Sequence, residues 1–258
     1  MSVQRVYRPA LRPGTTMTEL DREDFHYLKH VLRLKVGDTV ILFDGVGNEY
    51  EAVIDDFGAS RVRLEIREER PVDDPAPPVI LAQALPKEGK MDFIVQKATE
   101  LGVRTIIPFT SSRTIPRLTG EKAAARVKRW RKIAAEASKQ CGNAIVPEVS
   151  EIRTFEAMID EGARASLPLF FWEEEHHRGI RDIFSTPFRP DLSEISIVVG
   201  PEGGFSRDEA TAARNRGFMT AHLGRRILRV ETAALVILSI IQYEIGSIGT
   251  SPERNDVQ

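Results

Sequence analysis

The stretch ISIVVGPEGGFSRDEA, residues 195–210, sets three glycines, a proline and a carboxylate at the end of an apolar run. Pro201 has no N–H to continue a ladder, and Gly200, Gly203 and Gly204 let the backbone turn sharply and approach a ligand without Cβ interference. Ser206 and Glu209 form a capping-box pair, so a helix is predicted to start there. A second stretch follows, AHLGRRILRVETAALVILSIIQYEIG, with Leu223-Gly224, a connector carrying Arg225, Arg226 and Arg229, and a long apolar helix from about Thr232. Glu231 and Thr232 lie at that helix's start, where free amides and the positive dipole end gather. Two tight loops at neighbouring strand ends would line a groove with backbone amides and carbonyls, suited to a flat, polar-edged ligand such as adenine with a ribose. Neither stretch carries the G-x-x-x-x-G-K-[ST] or G-x-G-x-x-G pattern, and Glu202 would repel a phosphate. A pair of ligand-free tight turns is the plain alternative; their place on consecutive strand–helix units favours the groove.

Other chemistry-bearing groups are less specific. His26 and His30 stand four apart on one predicted helix, but no further ligand type lies near, and an RNA-facing or packing role fits better than a metal. EEEHH at 173–177 has no metal-ligand spacing and reads as a solvated charged loop. Cys141 is the only cysteine, which excludes an intrachain disulfide and a cysteine zinc cluster. No metal is expected.

These groups need a scaffold, and 258 residues suffice for one large domain or two. The connector PVDDPAPP (71–78) is too proline-rich to give ladder or helix donors and is taken as the boundary. Before it, a helix over about 21–34, capped by Asp21 and striped by Phe25, Leu28, Val31 and Leu32, precedes short alternating strands; a small β-barrel in 1–72 is expected. After it, VILAQAL, TIIPFT, LPLFFW, ISIVVG and TAHLG alternate with helical stretches over 79–246, the pattern of a mostly parallel sheet with crossover helices. The end, 247–258, is polar and expected to be disordered. Lys and Arg total 36 against 38 Asp and Glu, so a uniformly basic nucleic-acid binder is excluded and a local patch is not. The start lacks a signal-peptide core and no apolar run reaches a membrane span, so a cytoplasmic protein is expected.

VVGPEGGFSRDE together with LGRRILRVETAAL resembles the RsmE family of 16S ribosomal RNA uridine-N3 methyltransferases, within the SPOUT superfamily. LPKEGKMDFIVQKATELGV (85–103), RWRKIAAEASKQCGNAIVPEV (129–149) and HYLKHVLRLKVGD (26–38) resemble the same family in the same order, so the likeness covers nearly the whole chain. It implies a PUA-like or OB-like barrel, then an α/β SPOUT methyltransferase domain with a carboxyl-terminal trefoil knot, a homodimer, and S-adenosyl-L-methionine as cofactor. Carried onto this chain, the cofactor residues would be Gly200, Pro201, Glu202, Gly203, Leu223, Gly224, Ile227, Leu228, Arg229 and Thr232. The end of LPLFFWEE, with Phe171, Trp172 and Glu173, would form a third wall. The chain departs from the family at Asn143, where an arginine is usual; Lys139 or Arg113 would have to replace it.

That reaction needs a cation beside the uracil carbonyls, for which Arg229 is the candidate, with Arg225 and Arg226 as alternatives. Glu231 is the candidate proton acceptor, against a plain capping role. RNA contact is expected from the run Arg113, Arg117, Lys122, Arg126, Lys128, Arg129, Arg131 and Lys132, in which Glu121 is the only acid. Arg8, His30 and Arg33 in the first domain, with Lys87 and Lys97 beside the groove, are expected to add to it. The partner is 16S rRNA or the small ribosomal subunit; a non-catalytic assembly protein and a SPOUT enzyme acting on another RNA are the alternatives.

Overall fold

The computed structural model describes residues 3–72, 75–87, 89–116, 118–185 and 192–249. Arg117 and most of the carboxyl-terminal segment expected to be disordered therefore lie outside the described residues. The chain forms two compact units, one of residues 1–73 with 135–146 and one of 74–134 with 147–258.

The first unit holds β1 (Gln4–Tyr7), β2 (Met17–Leu20), β3 (Thr39–Phe43), β4 (Asn48–Phe57) and β5 (Val62–Pro71), ordered β1-β3-β4-β5-β2. On β4 the alternation sends Tyr50, Ala52 and Ile54 into a core with Val40, Leu42, Val62 and Leu64. Two register shifts between β4 and β5, at Glu51/Ala52 and Ile54/Asp56, bend and twist that hairpin. Asp21 caps α1 (Arg22–His26), accepting from the amides of Glu23 and Asp24. The expected helix runs from Arg22 to Val31, but its second half, Tyr27–Val31, is a π-helix. Its extra residue breaks the 3.6-residue stripe: Leu28 is fully buried, while Val31, expected on the same face, is 57% exposed.

The second unit is a wholly parallel seven-stranded sheet. Its strands are β6 (Val79–Ala84), β7 (Thr105–Thr110), β8 (Glu148–Val149), β9 (Arg153–Thr154), β10 (Leu167–Phe171), β11 (Ile195–Val199) and β12 (Met219–Ala221). The order is β12-β10-β11-β6-β7-β8, with β9 also on β7. Helices α2 (Lys90–Glu100), α4 (Phe155–Gly162), α5 (Ile180–Ile183), α6 (Arg207–Asn215) and α7 (Val230–Glu244) connect or follow these strands. The long α3 (Gly120–Cys141) leaves β7 and contributes its last turns to the first unit. Every residue of β11 is buried, as expected for a strand covered on both faces.

One feature of this order positions the site. Strands β11 and β12 follow each other in sequence but are not neighbours; β10 lies between them and pairs with both. The two glycine-rich loops therefore do not stand at adjacent strand ends, as the sequence suggested. They flank the end of β10. From the β12 edge, α7 then crosses back to pack on α2 in the middle of the sheet, where the Gln242 Nε2 donates to the Leu101 carbonyl at 2.6 Å.

Candidate functional site

At the carboxyl ends of β10, β11 and β12 the structure holds a cavity of about 320 Å³. Its first wall is the 200–204 loop, its second the 222–228 loop, and its floor is Phe171, Trp172 and Val199, with Ala233 and Ile237 of α7 behind. This is the position at which open parallel sheets receive ligands.

The first loop is shaped by what lies under it. Phe205, fully buried, packs against Phe170 in a tilted pair with ring centroids 4.2 Å apart and pins the loop to the aromatic core. Gly200 is required there, since a Cβ would sit 3.0 Å from the Phe205 ring. Gly204 has φ +67 and its amide donates to the Pro201 carbonyl, closing the turn. The Arg113 guanidinium donates to the Gly203 carbonyl at 2.9 Å. Ser206 and Glu209 form the predicted reciprocal cap of α6, and Glu209, nearly buried, also accepts from the amide and hydroxyl of Ser112.

The second loop is held differently. His222 Nδ1 accepts from the Gly224 amide at 2.9 Å, and Gly224 has φ +108 with open space where a Cβ would be. Among the described residues, the amides of Leu223 and of 225–228 donate to no backbone carbonyl. A partly enclosed run of unpaired donors calls for a ligand or water to satisfy it. Ile227 is 95% exposed at the mouth.

Charge is concentrated where the first loop meets the start of α7. Lys90 Nζ lies 2.9 Å from Glu202 and 3.1 Å from Glu231, so one ammonium ties the loop to the helix. The Lys87 amide also donates to Glu202, at 3.1 and 3.2 Å. Partial burial pushes the Glu202 carboxyl up, but Lys90 and the surrounding amides outweigh it, and the group lies below its ordinary range. Glu231 behaves alike, with burial opposed by its backbone amide and Lys90 and a net lowering. The same contacts hold Lys90 above its ordinary range, Glu202 contributing most.

The EEEHH segment is not a solvated loop throughout. Glu175 is 5% exposed and accepts from the Thr220 hydroxyl at 2.5 Å, the His177 amide at 2.8 Å and Arg214 at 2.7 Å. Burial raises its pKa, but these three donors together bring it down to about 2. Arg214 also lies over the Trp172 ring, 5.3 Å from its centroid, so this carboxylate braces the cavity floor from below. Its sequence signal was only one acid in a charged run; nothing marked which of three glutamates would turn inward.

The predicted residues divide plainly. Trp172, Glu173, Gly200, Pro201, Glu202, Gly203, Leu223, Gly224, Ile227 and Leu228 all line the cavity, with Arg225 and Arg226. Arg229 and Thr232 do not: Arg229 is the exposed residue preceding α7, and Thr232 is exposed one turn in. Val199, His222, Ala233 and Ile237, which line it, were not anticipated; they come from strand ends and from the helix face that the strand order turns inward.

The expected basic surface is partly internal pairing. Arg129 is bound to Asp92 through Nε at 2.8 Å and a terminal nitrogen at 2.7 Å, Arg131 to the Val149 carbonyl and Glu151, and Lys97 to Glu100. Arg113 is committed to the first loop, and Lys139, the other suggested stand-in for the arginine usual at 143, pairs with Glu136. Asn143 instead closes a local turn, accepting from the Ile145 amide. Lys122, Lys128 and Lys132 are exposed, Arg126 is half-buried, and Lys87 is exposed. In the first unit Arg8 donates to the Glu19 carbonyl, His30 packs its ring on Phe25 and His26, and Arg33 takes φ +59. Among the described residues no group of three metal-ligating side chains exists, and no helix is long and apolar enough to cross a membrane.

Likeness to known proteins decides the family. An RNA methyltransferase domain model matches residues 73–242 and an RNA methyltransferase PUA domain model residues 20–67. The ribosomal RNA small subunit methyltransferase E of Bacillus subtilis is 33% identical, over 86% of this chain and 88% of its own. The chain belongs to the ribosomal RNA small subunit methyltransferase E family. The Mycobacterium bovis member is 28% identical over 92% of this chain and 87% of its own. The crystal structure of the Neisseria gonorrhoeae member bound to S-adenosyl methionine superposes with a TM-score of 0.81 at 30% identity, covering 94% of this chain and 98% of that one. A Legionella pneumophila methyltransferase with bound SAM gives 0.82 at 31%, over 94% and 98%. The fold class follows: a SPOUT-type α/β methyltransferase domain preceded by a PUA-like domain.

Proposed function

We propose that this chain transfers a methyl group from S-adenosyl-L-methionine to N3 of a uridine in 16S ribosomal RNA. The observation that carries the reading is the 320 Å³ cavity at the ends of β10, β11 and β12, built from both family motifs. The residues fit the cofactor. Trp172, Val199 and Ile237 supply apolar walls for a base and ribose, the unpaired amides of the 222–228 loop supply donors, and the Trp172 Nε1, buried without a protein acceptor, supplies another. When bound, the cofactor presents a methyl group on a sulfonium, already a good leaving group. N3 bonds to that carbon as the sulfur–methyl bond breaks, S-adenosylhomocysteine is left, and the N3 proton passes to solvent or a carboxylate. The protein's larger task is therefore to hold N3 in line and favour the anionic base.

Arg229 suits the second task. It is exposed at the end of the loop, beside the cavity, and its charge also helps hold Glu231 ionised; its guanidinium is assigned to the uracil oxygens. Arg229→Ala should lower turnover by about ten- to a hundredfold while calorimetric affinity for S-adenosyl-L-methionine stays unchanged; wild-type turnover would remove it from the mechanism. Glu231, with its depressed pKa and its ion pair to Lys90, is a weak base, and the lock it forms with Lys90 and Glu202 is its main part. Lys90→Met would leave two carboxylates without their shared cation. Cofactor affinity should fall about tenfold near neutral pH and recover in part as the pH drops and the carboxylates protonate. A pH-independent loss would show that Lys90 acts other than by charge.

The cytoplasm is the place such a substrate requires, and a homodimer is the assembly the family resemblance implies. Mass mapping of 16S rRNA from cells with and without the gene tests the whole reading. Loss of one methyl on a uridine is expected; unchanged 16S rRNA with a lost methyl on another RNA favours the SPOUT enzyme of different target.

A further inference from the structure

A second cavity, of about 300 Å³, opens at the carboxyl ends of β6 and β7, beside the ends of β11. Its walls are aliphatic, from Leu85, Met91, Ile115 and Leu118, and the buried Trp130 forms part of its floor. The indole is fixed, because its Nε1 donates to Asp92 at 3.0 Å while Arg129 grips the same carboxylate. Ile115 stands 67% exposed at the rim, next to two cations, Lys87 and Arg126. A fixed aromatic, apolar walls and a cationic rim match a nucleobase with its phosphate, as single-stranded RNA readers show in general.

The partition between the two cavities decides which nucleotide. Lys87 lines the second cavity, and its amide is bonded to Glu202, which lines the first. The wall is thus one loop thick, and a base lodged in the second cavity cannot also offer its N3 in the first. We infer that the second cavity receives the base of a nucleotide flanking the methylated uridine, with the intervening phosphate over Lys87, and so contributes to the choice of site on the RNA. This rests on reading the chain as an RNA methyltransferase.

The test uses full-length protein, saturating S-adenosyl-L-methionine and oligoribonucleotides spanning the mapped uridine. Removing the base, one flanking position at a time, should raise KM about tenfold at one position and little elsewhere. Leu118→Trp, which fills the cavity, should raise KM for the intact oligonucleotide by a similar factor, leave cofactor affinity unchanged, and abolish the sensitivity to that abasic position. A flat abasic series on the wild type overturns the inference even if the variant does not fold. So does a variant that keeps the wild-type pattern, or one impaired on assembled small subunits but not on RNA, which would place a protein segment in the cavity. Absence of methylation on every RNA would instead refute the enzymatic reading, and direct binding of end-labelled oligonucleotides, read by anisotropy with the same abasic series, would still judge the cavity.

Discussion

Replacing Glu175 by alanine should destabilise the second unit by about 2–3 kcal/mol, seen as a fall of roughly 5–10 °C in the thermal midpoint. The carboxylate is nearly inaccessible and holds Thr220, the His177 amide and Arg214 at once. Truncation leaves the buried Thr220 hydroxyl without its acceptor; the amide of the exposed His177 and Arg214, whose side chain is 46% exposed, recover much of their loss by turning to water, so the lower part of the range for buried pairs applies. The pH dependence has a definite sign. Because the folded-state pKa is about 2, below the ordinary 4.5, the contribution is complete above the ordinary value and disappears as pH falls through the folded one. The advantage of the wild type over Glu175→Gln should thus be constant from neutral pH to about 5 and shrink steadily toward pH 2. A gap that stays constant to pH 2, or an unchanged midpoint for Glu175→Ala, would mean that the bonds are incidental. Since Arg214 also covers Trp172, the variant should weaken cofactor binding as well, a link that an isolated surface ion pair would not make.

Much of this site was legible in the sequence, and the reason is local. Pro201, the glycines, and the Ser206–Glu209 pair act on the backbone within a few residues, so their effect survives without knowledge of neighbours. The strand runs were equally plain, because a fully buried parallel strand has one apolar signature wherever it sits. What could not be read is the order of those strands. Placing β10 between β11 and β12 made the 171–173 segment the floor of the site and turned Ala233 and Ile237 inward. It also buried one glutamate of EEEHH against Thr220 on the edge strand. The basic run misled for a related reason: counting charges along α3 cannot show that Arg129 faces Asp92 of α2 and is already committed. The π-helix at Tyr27–Val31 carries no evident residue signature, and Val31 lies exposed within it, outside the expected stripe.

Substituting Ala233 by tryptophan should abolish cofactor binding, with the dissociation constant raised by at least about a hundredfold. Ala233 sits in the first turns of α7, half-buried, where its methyl group meets the cavity beside Val230 and Ile237. An indole there has no packed core to displace; it occupies the space itself and removes the room for a base between α7 and the 222–228 loop. The helix tolerates tryptophan at a modest propensity cost, and the packing of α7 on α2 lies on other positions, Gln242 among them, so the thermal midpoint should stay close to the wild type. Calorimetry with S-adenosyl-L-methionine and a thermal melt on the same sample give both numbers. A folded variant that binds within about threefold of the wild type would place the cofactor elsewhere, and the assignment of both glycine-rich loops would fall with it. A folded variant that loses the cofactor yet still binds 16S rRNA would separate the two sites: the donor cavity would then depend on α7 and the loops, and RNA recognition on the surfaces around it.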